Sequence, residues 1–130
     1  MDKEFIPYEQ ALELKELGFD EGCIATYQKL PMLMPVLSLG EKNKDFYKCI
    51  RVPLKYNIQA PLYQQAFRWF REKEGYHIDL FVDDDKTFGF CITYFTYTAR
   101  VDNPIQRGFN TYEEAELACL KKLIEIVKTK

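Results

Sequence analysis

The stretch Ala60–Tyr76, APLYQQAFRWFREKEGY, constrains this chain more than any other. Leu62, Ala66, Phe67, Trp69 and Phe70 recur at helical spacing and, with Tyr63, fill one arc of a helical wheel. Gln64, Gln65, Arg68, Arg71 and Glu72 fill the opposite arc. A face carrying Phe67, Trp69 and Phe70 is stable only when covered, so the rest of the chain has to supply the cover. Pro61 suits the first helical position, where a missing N–H costs nothing. Gly75 suits the left-handed residue that ends a helix, with Tyr76 folding back on Phe70. The expectation is a buried aromatic face with Arg68 and Arg71 turned to water.

A chain of 130 residues with 47% hydrophobic and 15% aromatic content can bury one core, so residues 1–130 read as a single domain. The net charge of -2 offers no bulk attraction to nucleic acid or to an anionic membrane. The positive charge is concentrated in one block from 42 to 73, comprising Lys42, Lys44, Lys48, Arg51, Lys55, Arg68, Arg71 and Lys73. Cys23, Cys49, Cys91 and Cys119 are too far apart for a CxxC knuckle, and the opening MDKEFIPYEQ shows no secretory pattern. Reduced thiols in a cytoplasmic protein follow. The longest apolar run, Leu30–Leu39, is broken by Pro31 and Pro35 and is about half the ~20 residues that span a bilayer, so no membrane segment is expected.

Tyr8–Leu17 reads as a short helix stopped by Gly18, with Tyr8, Ala11, Leu12 and Leu14 on one side and Glu9, Glu13 and Glu16 on the other. Cys23–Gln28 and Phe46–Val52 have strand chemistry. Between them Leu30–Leu39 lacks a clean period. It reads as an extended segment over the core or as an apolar strip for a partner, with Met32, Met34 and Leu37 as its contact residues. After the central helix, residues 76–83 alternate as a half-buried strand, Asp83–Lys86 is a turn, and Thr87–Ala99 is a long β-branched and aromatic strand. A loop through Asn103, Pro104 and Gly108 leads to a C-terminal helix opened by Thr111 and Glu114 as a capping box. Its apolar residues cover more than half the wheel, so it should touch two surfaces. Glu116 falls inside that arc, to snorkel at its edge or pair with a base. The class is α+β, with three helices on a mostly antiparallel sheet of about four strands in the order α-β-β-α-β-β-α.

Catalytic chemistry finds no frame. The sole histidine, His77, stands near no GxSxG or comparable motif, and P-loop, GxGxxG and HExxH patterns are absent from the sequence. DDDK lacks the spacing of a calcium loop. No catalytic residue, cofactor or metal ligand is therefore expected, and an enzyme without a familiar motif is the weakest of three readings. Nucleic-acid binding would use the basic block, with Tyr56, Tyr94 and Tyr97 to stack bases. Glu113, Glu114 and Glu116 stand against it, where a phosphate-gripping helix would carry lysines. The favoured reading is a non-enzymatic module whose surface, at Arg68, Arg71, Met32, Met34 and Leu37, meets a macromolecular partner. A protein suits that surface better than a nucleic acid, and a second copy of the chain is one candidate.

Three blocks, KEFIPYEQALELKELGFDE, APLYQQAFRWFREK and TYEEAELACLKKLIEIVK, resemble in that order a group of short uncharacterised proteins from phages and mobile elements of gut bacteria. The blocks cover a little under half of the chain, and residues 29–58 fall outside the resemblance. It implies an accessory protein acting in a bacterial cytoplasm, and it carries no activity, cofactor or functional residue.

Overall fold

The computed structural model describes residues 2–28, 36–39 and 57–129. Among the described residues, three helices and two antiparallel sheets give the α+β class, and the expected order of helices and strands holds, with short strands added. The chain divides into two compact units, Met1–Leu62 and Tyr63–Lys130. The strand expected over Phe46–Val52 lies outside the described residues, as do Met32, Met34 and the basic residues Lys42 to Lys55. Among the described residues, no helix is long and apolar enough to cross a membrane.

In the first unit, α1 (Tyr8–Glu16) ends as its sequence predicts. Gly18 takes φ 101°, and the Phe19 N–H bonds back to the Leu14 carbonyl at 2.9 Å. The sheet runs in the order β2 (Val36–Leu39), β1 (Ala25–Gln28), β3 (Asn57–Gln59), all antiparallel. The strip thus contributes, among the described residues, an end strand at Val36–Leu39. Ala25 and Tyr27 share a face, and Tyr27, Leu37 and Leu62 pack around buried Phe5, Ala25 and Ala60. The Tyr27 hydroxyl donates to the Ile6 carbonyl at 2.6 Å, and its ring meets Tyr8 edge-on. Thr26 points to the opposite face, where its hydroxyl is buried with no partner among the described residues.

Pro61 does not open the central helix. Its carbonyl accepts the Ile6 N–H at 3.0 Å, and Leu62 bridges Phe5, so the chain is still extended there and α2 begins at Tyr63. The tertiary hydrogen bonds outweigh the preference of proline for a first helical turn.

In the second unit, α2 (Tyr63–Trp69) runs into a π turn, Phe70–Glu74, that ends at Gly75 with φ 76°. The wide turn is closed by the Tyr76 N–H donating to the Phe70 carbonyl at 3.3 Å. Phe67, Trp69 and Phe70 are buried, with the indole ring edge-on to Phe70 at 5.0 Å, while Arg68 and Arg71 are exposed as expected. The sheet consists of β4 (His77–Val82), β5 (Phe88–Phe95), β6 (Arg100–Asp102) and β7 (Gln106–Phe109). Its order is β4-β5-β6, with β7 also paired to β5. The run expected to continue to Ala99 stops at Phe95. Thr96 and Ala99 close a turn through N–H···O at 2.8 Å and the Thr96 hydroxyl, which sends the chain back as β6. The expected loop after Asn103 contains β7. Gly89 makes room for it, since a Cβ there would lie 2.6 Å from the Gln106 carbonyl and 2.7 Å from the Phe81 ring.

The last helix, α3 (Tyr112–Lys128), is capped as its letters require. Thr111 Oγ1 accepts the Glu114 N–H at 3.1 Å, and the Glu114 carboxylate reaches back to the Asn110 N–H. It lies on β5 and also meets α2, so its broad apolar arc is used on two sides. Phe70, Phe90, Ile92, Leu120 and Leu123 are almost wholly hidden and form the centre of this unit.

Candidate functional site

Gln64 and Arg71, from the polar arc of α2 and its π turn, and Phe67, from the edge of its apolar arc, make one lining stripe. That stripe faces Ile78 and Leu80 of β4 and Tyr112 at the start of α3, and the six side chains line a cleft of about 220 Å³. Phe67, Ile78 and Leu80 make an apolar floor. Arg71, the Gln64 amide and the Tyr112 hydroxyl supply its polar groups. Among the described residues no carboxylate lines the cleft.

The electrostatics of this cleft differ from those around the other arginines of the unit. Arg100 bonds Asp102 at 2.9 Å, and Arg107 bonds Asp83 at 3.3 Å while stacking over the Phe81 ring at 5.6 Å. Arg71 has no acidic partner among the described residues, so its guanidinium keeps its donors for solvent or a ligand. Burial, together with the negative charge of Glu116, pushes the Tyr112 hydroxyl above its ordinary value and keeps it protonated as a donor. The π turn matters here because it changes the helical repeat at the residue that carries the cation, and such turns recur at functional sites.

Glu116, one turn after Tyr112, is buried on α3. Among the described residues no hydrogen-bond donor or base meets it, and of the two expected outcomes it takes the other, its carboxyl oxygens reaching water at the edge of the apolar arc. Burial, with a smaller push from Glu113, raises its carboxyl to about 7. Burial likewise pushes the Cys119 thiol well up, so it stays protonated and unreactive.

The outer face of the second sheet gathers His77, Asp79, Cys91, Thr93, Arg100 and Asp102, but their contacts are structural. Cys91 Sγ donates to the Asn103 carbonyl at 3.7 Å, Thr93 Oγ1 donates to Asp102 at 2.6 Å, and the His77 ring packs edge-on to Phe95. The Thr93 hydroxyl and Arg100 together hold the Asp102 carboxyl below its ordinary value. At the hairpin tip Phe95 is 62% exposed and Tyr97 fully so, while Tyr94 packs against Tyr76. The acidic turn is a solvated hairpin end. Asp85 accepts from the Thr87 N–H and hydroxyl, which lowers its carboxyl, and Lys86 sits at φ 66°. Among the described residues no group of three acidic, histidine or cysteine side chains is placed to hold a metal.

Of the residues singled out in the sequence, Arg68 and Arg71 share the exposed side of one helix, three positions apart. Leu37 is half-buried and packs into the core of the first unit. Met32 and Met34 lie outside the described residues. Sequence reasoning missed Gln64, Ile78, Leu80 and Tyr112. A stripe through Gln64, Phe67 and Arg71 was available as a signal, but Tyr112 had none. In comparisons with family models, curated proteins and solved structures, nothing matches this chain.

Proposed function

We propose that this chain is a non-enzymatic accessory protein of phage or mobile-element type that acts in a bacterial cytoplasm by engaging a protein partner through the arginine side of α2. The observation that carries the reading is Arg71, an exposed guanidinium without an acidic partner among the described residues, at a cleft with an apolar floor. Contact surfaces favour arginine because its planar fork makes directional bonds while its stem and plane cover apolar groups. The engaged state of Cys91 and Thr93 also supports it, since neither is held against a base as a nucleophile would be. The resemblance to proteins of phages and mobile elements supplies the setting.

The test is capture from a gut-bacterial host lysate, read by mass spectrometry, with the natural chain and with Arg68→Glu/Arg71→Glu. The double variant is expected to keep the circular dichroism and melting behaviour of the parent while losing its partners. Retained partners, or an unfolded variant, overturn the proposal. Light scattering of the isolated chain tests a second copy as the partner. A salt-sensitive elution shift with added RNA or DNA would assign the basic block to nucleic acid instead.

A further inference from the structure

The cleft at Arg71 joins one cation, two neutral hydrogen-bonding groups and an apolar floor, and we infer that it receives the C-terminal carboxylate of a partner polypeptide whose last residue is apolar. This rests on the reading of the arginine side as a protein-contact surface and states what that surface recognises.

The charge pattern selects the anion. A guanidinium presents paired N–H donors that match a carboxylate in a fork, and Arg100 and Arg107 already spend theirs on Asp102 and Asp83. Among the described residues Arg71 does not, and the described lining of its cleft includes no acid to compete. Gln64 and Tyr112 can donate to the carboxylate's remaining lone pairs. A dianion such as phosphate fits less well, because Glu116 lies close enough to Tyr112 to perturb its hydroxyl and Glu113 adds a second negative charge on the same turn.

Size and chain geometry select the rest of the ligand. A volume of about 220 Å³ admits one side chain together with its carboxylate. At a polypeptide C-terminus the carboxylate and the side chain leave the same Cα, so one can meet Arg71 while the other covers Phe67, Ile78 and Leu80. A polypeptide is favoured over a free acid because β4 is the end strand of its sheet among the described residues, leaving main-chain groups that an added strand can bond.

The test is an NMR titration of the full-length chain with acetylated tripeptides ending in Leu or Phe, each as free acid and as C-terminal amide. The free acids are expected to shift the amide signals of Arg71, Ile78 and Leu80. The amide forms, and the free acids added to Arg71→Gln, should bind about tenfold or more weakly, the loss of a charge-assisted pair. Amides that bind as tightly as acids, or the absence of shifts at millimolar peptide, overturn the inference. Host partners lost from the Arg71→Gln chain with no peptide binding overturn it as well, while leaving the contact surface in place. Peptide binding alongside host capture that is indifferent to Arg71 overturns the contact surface instead.

Discussion

Each unit buries one polar group that has no partner among the described residues, and the two groups differ in what they can do about it. In the first unit it is the Thr26 hydroxyl on β1. In the second it is Glu116 on α3, a largely buried side chain whose carboxyl oxygens still reach water. A hydroxyl cannot shed its polarity, so its cost is fixed at all ordinary pH values. A carboxyl can take a proton, so its cost is set by pH and is largest where the charged form is imposed. The lesson is that the same burial makes one unit uniformly less stable and the other less stable only on the alkaline side.

The largest test of that contrast sets its scale. Phe70→Ala, at a side chain with no exposed surface, should cost about 3–5 kcal/mol in urea unfolding. A smaller loss would mean the aromatic centre of the second unit carries less than its burial indicates, and the polar terms would then weigh more. Glu116→Gln comes next. The folded carboxyl sits near 7 against an ordinary 4.5, so between these values the folded chain holds the extra proton and stability falls as pH rises. Above about 7 the penalty is complete. The variant should therefore be more stable by about 1–2 kcal/mol at alkaline pH and should match the parent near pH 4, below the ordinary carboxyl value. A gain that is the same at both would break the comparison.

Thr26→Val replaces the unpaired hydroxyl by a methyl group of the same shape. It should stabilise by about 1 kcal/mol, equally at both pH values. If thermal melts show a loss instead, the hydroxyl has a partner in solution and the first unit has no unpaired group. Tyr27→Phe, on the next residue, sharpens the point at the smallest scale. Its hydroxyl is bonded to the Ile6 carbonyl, so removing it should cost about 0.5–1 kcal/mol. Neighbouring hydroxyls on opposite faces of β1 should thus give opposite signs.

The legible parts of the fold share a physical basis. The aromatic face of α2, the Gly18 and Gly75 helix ends and the Thr111 cap are decided within one or two turns of chain, so residue order contains them. Pro61 stays outside the helix that its local preference suggests because the decisive partner of its carbonyl, the Ile6 N–H, lies far back in the sequence. The strand expected from Thr87 onward ends at Phe95, short of what its letters suggest, although Thr96, Tyr97 and Thr98 all favour extension. The turn at Thr96 is closed by hydrogen bonds that those preferences do not encode. Of the cleft, Arg71 is legible as an outward cation and Phe67 as part of the aromatic face, whereas Ile78, Leu80 and Tyr112 come from β4 and the start of α3.

By itself the sequence determined the class of fold, the identity of the buried aromatic face and the exposure of Arg68 and Arg71. Those follow from the periodicity of apolar side chains and from local caps. Only the tertiary structure decided that Arg71 would share a cleft with Gln64, Ile78, Leu80 and Tyr112, and that Glu116 would be buried without a base among the described residues. Both depend on which elements come to lie together, and in a strand or a helix the same spacing of letters is compatible with many neighbours.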